Sequence, residues 1–274
     1  MSSRRTLVAS AVVSLALLHP AASAQSTPPP APDFSPTVGQ MGKDVIWVPT
    51  HQSLVDYMLD LVKLTPQDYL VDLGSGDGRT VITAAQRGAK AHGIEFNPDM
   101  VALSLRNAKA AGVSDRATFA QGDIFESDFS DATVLTLFLL PNLNLKLRPT
   151  ILNMAPGTRV VSNSFDMGDW TPDFTGDAKS NCPNYCTVHM WVVPAKVQGT
   201  WKLADGSVEL TQTFQMLSGS LTQAGGAMPV TDGRMDGTQI TFSVQGKRYS
   251  GTVNGKEIKG MIDGTTPWTA TRSG

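Results

Sequence analysis

The chain has 274 residues, of which 41% are apolar, and a formal net charge of −2 at neutral pH. This length allows one large domain or two modest ones, each with its own hydrophobic core. The 22 basic residues are outnumbered by 24 acidic ones and form no cluster. The sequence therefore disfavours DNA or RNA as a partner, because nucleic-acid binding needs cationic residues along the phosphates.

The first 24 residues have the pattern of a secretory signal peptide. A basic start with two arginines precedes the apolar stretch Leu7–Leu18, and Ala22-Ser23-Ala24 matches an A-x-A cleavage site. About twelve apolar residues are too few to span a bilayer, so cleavage is favoured over a permanent anchor. We expect a periplasmic or secreted mature chain without a stable membrane span, which starts at Gln25 and has a charge of −4 (20 basic against 24 acidic residues).

Residues 25–44 are predicted to form a proline-rich linker. Five prolines lie between Gln25 and Val38, a composition typical of an extended and poorly ordered tether. A first folded domain is expected to cover residues 45–194, and a second one residues 197–274.

Alternating strand and helix patterns dominate the first domain. Apolar residues at helical spacing predict a helix within His51–Leu64. Further strands are predicted at Tyr69–Leu73, Ala91–Phe96, Thr118–Ala120, Thr133–Phe138 and Arg159–Asn163, with helices at Thr80–Arg87, Pro98–Ala111 and Asn142–Asn153. This alternation is typical of a mostly parallel sheet covered by helices, so the predicted fold class is α/β. Pro149 is expected to kink or split the last helix.

After Pro194 the pattern changes to short alternating strands. Turn pairs such as Asp205-Gly206, Asp232-Gly233 and Asn254-Gly255 separate these strands, as in β-hairpins. Residues 197–274 are therefore predicted to form a small all-β antiparallel domain, a meander curled into a half-barrel or sandwich.

The most informative stretch is Val71-Asp72-Leu73-Gly74-Ser75-Gly76-Asp77-Gly78-Arg79. It is typical of a buried strand that ends in a glycine-rich turn at the start of a helix. Glycine has no Cβ and so lets the backbone approach a ligand closely. Glu95 follows 21 residues after Gly74, at the end of the second strand, where a carboxylate can accept hydrogen bonds from ribose hydroxyls. Turn and acid together predict a nucleotide site.

The same turn excludes two common nucleotide sites. A dinucleotide fingerprint G-x-G-x-x-G that starts at Gly74 requires glycine at position 79, where Arg79 stands, so a pyrophosphate loses its expected place. A P-loop requires Gly-Lys-Ser/Thr after the turn, and this does not follow. The remaining pattern is acid-x-Gly-x-Gly-x-Gly.

That pattern resembles motif I of the class I S-adenosylmethionine-dependent methyltransferases. Later segments resemble the same family in the same order: Gly93–Pro98 at the end of the second strand, Gln121–Phe125 after the third, and Ala132–Pro141 as the fourth. The resemblance covers roughly residues 45–194. It implies a Rossmann-like sheet closed by an antiparallel strand at Thr187–Val193, S-adenosyl-L-methionine as cofactor, and methyl transfer to a nucleophile.

The resemblance also implies which residues bind the cofactor. Glu95 would bind the ribose, Asp123 the adenine amino group, and Asp72 the amino group of the methionine part. Each residue also has a structural alternative. Glu95 would be a solvated strand end, Asp123 an ordinary turn aspartate, and Asp72 a brace for the glycine turn. The implied set is Asp72, Gly74, Ser75, Gly76, Asp77, Gly78, Glu95, Phe96, Asn97, Asp123 and Ile124.

Two further segments, Trp47–Thr50 and Phe138–Pro149, resemble one subgroup of that family. It includes the mitochondrial protein-lysine methyltransferases of the ATP synthase c subunit and the adenine nucleotide translocase, with bacterial relatives. This resemblance implies a protein substrate whose lysine amine accepts the methyl group. The substrate-side candidates are Thr50, Leu140, Pro141 and Asn142. A cap on the following helix is an equal alternative for Asn142. No general base can be singled out, since a lone histidine such as His51 is more often a helix-start residue.

The chain contains two cysteines, Cys182 and Cys186. In an oxidising compartment this close pair favours a small disulfide loop. Zinc needs more ligands than two thiols, so no metal site is predicted.

Export conflicts with a cofactor that is made in the cytosol, and three hypotheses stay open. The chain is an active methyltransferase, or an exported nucleoside-binding protein without catalysis, or an envelope interaction protein whose β domain is the functional part. The sequence leaves the oligomeric state open.

Overall fold

The structure is a computed structural model that describes residues 34–178 and 182–273. The predicted signal peptide and the first part of the predicted linker lie outside these residues. Within the described ranges, no helix is long and apolar enough to cross a bilayer.

The α/β part alternates strands and helices, as the sequence pattern predicts. In chain order its elements are α1 (Gln52–Leu61), β1 (Tyr69–Leu73), α2 (Arg79–Gln86), β2 (Lys90–Glu95), α3 (Pro98–Ala110), β3 (Ala117–Gln121), β4 (Val134–Leu137), α4 (Pro141–Ile151), β5 (Arg159–Asn163), β6 (Phe174–Asp177) and β7 (Thr187–Val192).

These seven strands form one sheet in the order β3-β2-β1-β4-β5-β7-β6. The first five are parallel, and β7 pairs with β5 in the antiparallel direction. All four residues of β4 are buried, because helices cover both faces of a parallel sheet. The carboxyl ends of β1, β2, β3 and β4 therefore meet at one edge of the sheet, which is where the predicted site residues follow.

Two details of the α/β part differ from the sequence prediction. The short strand β6 is absent from the sequence prediction; its four residues include glycine and aspartate, and three of them are exposed. Helix α4 begins at Pro141, after Leu140 at the N-cap position, and continues through Pro149. Asn142 therefore does not cap this helix, which was the alternative to a substrate contact, and Pro149 does not split the helix. Pro141 suits the start of the helix, because N–H groups in the first turn have no hydrogen-bond partner within the helix.

Residues 199–272 form a closed barrel of eight antiparallel strands. They are β8 (Gly199–Leu203), β9 (Gly206–Thr213), β10 (Met216–Gln223), β11 (Gly226–Asp236), β12 (Gln239–Val244), β13 (Lys247–Asn254), β14 (Glu257–Ile262) and β15 (Thr266–Arg272). The all-β antiparallel domain is confirmed, but the half-barrel or sandwich shape is wrong. The last strand pairs with the first, at Thr271↔Lys202 and Arg272↔Trp201, and this closure leaves no sheet edge.

Several barrel glycines serve packing and not turns. Gly251 and Gly260 face each other across β13 and β14, and a Cβ on Gly251 would lie 3.2 Å from the ring of Trp268. The pair Asp232-Gly233 lies inside β11, where the register shifts as in a β-bulge. Asn254-Gly255 does connect two strands, as its turn signal predicts.

The hairpin between β9 and β10 joins the barrel to the α/β part. The amide of Gln215, which is 2% exposed, accepts a hydrogen bond from Trp170 Nε1 at 2.9 Å and donates one to the carbonyl of Thr171 at 2.8 Å. Arg234 of β11 forms an ion pair with Asp173. The barrel thus supports the loop between β5 and β6.

Candidate active site

A cavity lies at the carboxyl edge of the parallel strands. Ten of the eleven predicted cofactor-binding residues line it: Asp72, Gly74, Ser75, Gly76, Asp77, Glu95, Phe96, Asn97, Asp123 and Ile124. Three separate segments supply them, at the ends of β1 and β2 and after β3. The fold brings these residues together, and their individual contacts with a cofactor stay predictions.

The glycine turn forms the floor of this cavity. Gly74 and Gly76 have φ of 79° and 54°, a region that glycine enters without steric cost. A Cβ on Gly76 would lie 2.8 Å from Trp47 Nε1, so a larger residue would fill the space between turn and indole. Gly78 does not line the cavity. It precedes α2, and its missing Cβ leaves room for Phe119, so its role is packing.

The side chain of Ser75 is buried against Gly93 of β2. Ser75 is 5% exposed, and its Oγ has no hydrogen-bond partner among the residues that the structure describes. A buried hydroxyl without a partner costs free energy. The glycine turn, which has no Cβ at Gly74 and Gly76, fits a nucleoside cofactor that approaches the backbone closely.

Glu95 is held in position by two backbone groups. Its Oε2 accepts a hydrogen bond from Gly76 N at 2.9 Å, and its Oε1 accepts one from Asn97 N at 2.9 Å. A carboxylate oxygen has more than one acceptor position. Both oxygens can therefore accept further hydrogen bonds from a ribose diol while the carboxylate stays fixed against the glycine turn.

Asp72 is a buried acid at the end of β1. Thr136 Oγ1, from the neighbouring strand β4, donates a hydrogen bond to its carboxylate at 2.6 Å. Burial raises the pKa of Asp72 to about 7, and the nearby charges of Glu95 and Asp77 act in the same direction. A cation bound in the cavity would favour the ionised carboxylate. Thr136 was not predicted, although it is the one polar residue of β4 and stands opposite Asp72 in the sheet register.

Asp123 and Phe96 form the opposite end of the cavity. Lys43 forms an ion pair with Asp123 and places its Nζ 4.9 Å from the centroid of the Phe96 ring. The hydrogen bond from Lys43 lowers the pKa of Asp123, so this carboxylate is ionised at neutral pH. The ring of Phe96 is 47% exposed and is available for contact with a base. Lys43 falls in the range predicted as linker and was missed.

Residues 39–50 cross the cavity, and we call them the strap. The strap folds back on itself, and Gly39 N donates a hydrogen bond to Trp47 O at 2.9 Å. Arg79, at the start of α2, donates to the carbonyl of Thr50 at 2.8 Å and to the carboxylate of Asp77 at 2.6 Å. Arg79 thus links the strap to the glycine turn.

The substrate-side candidates divide into two groups. Thr50 lines the cavity. Leu140, Pro141 and Asn142 are exposed at the start of α4 and do not line it. His51 caps α1, where its side chain accepts a hydrogen bond from Ser53 N. The helix-start role is therefore confirmed for His51.

The predicted disulfide between Cys182 and Cys186 is present. It closes a short loop just before β7 and places Tyr185 next to Phe138, with ring centroids 5.4 Å apart. Phe138 directly follows β4 and lines the cavity. The disulfide loop therefore lies at the same edge of the sheet as the cavity.

Comparisons with known proteins agree with this geometry. Residues 72–174 match the family described as ANTKMT methyltransferase domain. The protein-lysine N-methyltransferase of Saccharolobus islandicus is 40% identical over 152 residues, which cover 54% of this chain and 94% of that protein. The mouse lysine N-methyltransferase that is named for the ATP synthase c subunit is 39% identical over 107 residues, or 39% of this chain and 43% of that protein.

A solved structure is similar over the same share of the chain. The crystal structure of an RNA methyltransferase from Salinibacter ruber in complex with S-adenosyl-L-homocysteine is 50% identical, with a TM-score of 0.52. The match covers 55% of this chain and 96% of that one. These relatives are all methyltransferases, and none supports the hypothesis of a nucleoside-binding protein without catalysis. The chain is therefore an S-adenosyl-L-methionine-dependent enzyme that belongs to the class I methyltransferases, in the family of the ANTKMT methyltransferase domain.

Proposed function

We propose that this enzyme methylates the ε-amine of protein lysines. The observation that carries this proposal is the 40% identity to a protein-lysine N-methyltransferase, 94% of which this chain covers. The mouse relative, whose name also specifies a lysine, supports the same acceptor. A protein substrate also suits a chain with more acidic than basic residues, because RNA binding needs a cationic surface.

The cavity suits this chemistry. Bound there, the cofactor supplies a methyl group on a sulfonium: a nitrogen–carbon bond forms as the sulfur–carbon bond breaks, and the amine loses a proton to solvent. The protein must align the amine and accept it without its charge. Glu95 and the glycine turn fix one end of the cavity, and the apolar Leu137 and Leu139 line its wall at the end of β4. Apolar surroundings disfavour the charged ammonium.

Chemical identification of the methylated product tests the proposal. The full chain is incubated with methyl-labelled cofactor, heat-denatured bacterial extract protein and, separately, total RNA. Label recovered as methyllysine after acid hydrolysis of the protein supports the proposal. Label recovered in a methylated nucleoside, in another amino acid, or nowhere while calorimetry shows that the cofactor binds, contradicts it. The Glu95→Ala variant is the control for labelling that does not depend on the cavity.

We also propose that the chain acts outside the cytosol. The leader pattern of residues 1–24 and the Cys182–Cys186 disulfide support this proposal, since disulfides persist in oxidising compartments. Expression of the full chain in a bacterium, followed by fractionation and N-terminal sequencing, tests it. A periplasmic or secreted product that starts at Gln25 supports export, and a cytosolic product that retains Met1 contradicts it.

A further inference from the structure

Three aromatic rings contact one another on the acceptor side of the sheet. Phe138 follows β4, Phe165 follows β5, and Tyr185 precedes β7. Their centroids lie 5.4 Å (Phe138 to Tyr185), 6.2 Å (Phe138 to Phe165) and 6.2 Å (Phe165 to Tyr185) apart. We call this group the aromatic cluster. Because β7 is antiparallel to β5, all three rings meet at the edge that carries the cofactor cavity.

The aromatic cluster lies between the cofactor cavity and a second cavity. Phe138 lines the first, and Tyr185 lines the second. Val48, Pro49, Thr50 and Arg79 line both, so one wall of strap and turn separates them. The ring of Tyr185 is 48% exposed. The ring of Tyr185 therefore lies on the solvent-exposed side of this shared wall, and Phe138 lies on the cofactor side.

The backbone around the cluster adopts a conformation that requires support. Tyr185 has φ of 55° and Ser164 has φ of 61°, values that cost free energy for residues other than glycine and persist only when the surroundings fix them. The disulfide closes the loop that carries Tyr185. Ser164 Oγ donates to Asn163 Oδ1 at 2.8 Å, and Asn163 Nδ2 donates to Thr50 Oγ1 at 3.3 Å. These contacts hold the cluster against the strap.

From this geometry we infer that the aromatic cluster receives the acceptor lysine, and that Tyr185 presents a ring face to its methylated ammonium. The inference rests on the proposed lysine specificity. Aromatic faces attract cations, and a methylated ammonium loses little hydration when it contacts them. An acceptor that has received one methyl group would therefore be retained for the next transfer. The Cys182–Cys186 disulfide is a positioning element, since it fixes the loop and does not contact the acceptor.

Two substitutions of Tyr185 distinguish the effect of an aromatic ring face from the effect of side-chain volume. Tyr185→Phe keeps the ring, whereas Tyr185→Leu keeps apolar volume without a π face. We expect Tyr185→Phe to resemble wild type. Tyr185→Leu should raise the half-saturating concentration of heat-denatured extract protein about tenfold, a factor in keeping with one cation–π contact. It should also shift the products towards monomethyllysine. The matched control is Phe174→Ala, which truncates an aromatic side chain outside the cluster. Phe174 belongs to β6 and is 39% exposed in the wild type.

Calorimetry with S-adenosyl-L-homocysteine shows whether each variant keeps its cofactor site. The cofactor affinity of Tyr185→Leu and of Cys182→Ser/Cys186→Ser should equal that of wild type, while both lose acceptor affinity. If the Leu and Phe variants give the same half-saturation and the same distribution of methyllysines, the inference is wrong although the lysine proposal stands. If wild type yields no methyllysine, the lysine proposal itself fails.

Discussion

We predict that the buried carboxyl of Asp72 makes cofactor binding depend on pH. Its pKa lies at about 7, chiefly because burial penalises the charge, so the free protein holds a proton there in mildly acidic solution. The methionine part of the cofactor carries an ammonium group, and a nearby cation favours the carboxylate. Binding is therefore expected to release this proton, and the affinity for cofactor should rise as the pH increases towards 7.

The size of this effect follows from linkage. One pKa unit corresponds to about 1.4 kcal/mol, so the interval between about pH 5 and pH 7 limits the gain to about 3 kcal/mol, or about 100-fold in dissociation constant. Asp72→Asn removes the titrating group, and its dissociation constant should stay constant across this interval. Asp123→Asn is the matched control. Asp123 lines the same cavity, but the hydrogen bond from Lys43 lowers its pKa, so this variant should bind more weakly and keep the pH slope.

Calorimetric titration with S-adenosyl-L-homocysteine measures both consequences. Affinities are determined near pH 5, pH 6 and pH 7, each in two buffers with different enthalpies of ionisation. The buffer dependence gives the number of protons released. Wild type should release up to one proton per site near pH 6, and Asp72→Asn should release none. A wild-type affinity that does not change with pH, without proton release, would refute the reasoning.

Three further changes have defined outcomes. Because folding raises the pKa of Asp72 from 3.8 to about 7, the wild-type free energy of unfolding should fall by up to about 4 kcal/mol as the pH rises through this window. Asp72→Asn should escape this loss, and equal pH slopes in urea unfolding would count against it. Gly76→Ala should abolish cofactor binding, because φ is 54° and a Cβ would lie 2.8 Å from the Trp47 indole. Gly112→Ala, with φ of 70° and open surroundings, should cost about 1 kcal/mol of stability and leave the affinity unchanged; similar affinities for the two variants would contradict this. Gln215→Leu should lower the thermal midpoint of unfolding, because it leaves buried partners unsatisfied at about 1–3 kcal/mol each. A midpoint equal to that of Gln239→Leu, a substitution at an exposed position of β12, would overturn this expectation.

The sheet and its ligand edge could be predicted because their signals are local. Apolar residues follow strand spacing and helix spacing in turn along residues 69–163, and the glycine turn indicates both the end of β1 and the start of α2. Glu95 is recognisable because the second strand ends there. Parallel strands bring their carboxyl ends to one edge, so the relative position of Asp72, Glu95 and Asp123 followed without any knowledge of side-chain contacts.

The contacts that tune the site could not be predicted, since they join distant parts of the chain. Thr136 lies 64 residues from Asp72, and Lys43 lies 80 residues from Asp123. Neither pair has a sequence signal of its own. The closure of the barrel could not be predicted for the same reason. Turn residues reveal hairpins between consecutive strands, whereas no local signal reveals the pairing of β15 with β8.

The most direct test of the cofactor site removes the carboxylate that the glycine turn fixes. Calorimetry compares the full chain, Glu95→Ala and, as control, Glu257→Ala, whose carboxylate pairs with Lys259 on the barrel. Each protein is titrated with S-adenosyl-L-methionine. We predict that the wild type and Glu257→Ala bind equally and that Glu95→Ala binds at least about tenfold more weakly, the loss of about one charged hydrogen bond. Equal binding by all three folded proteins would contradict the assignment of this cavity.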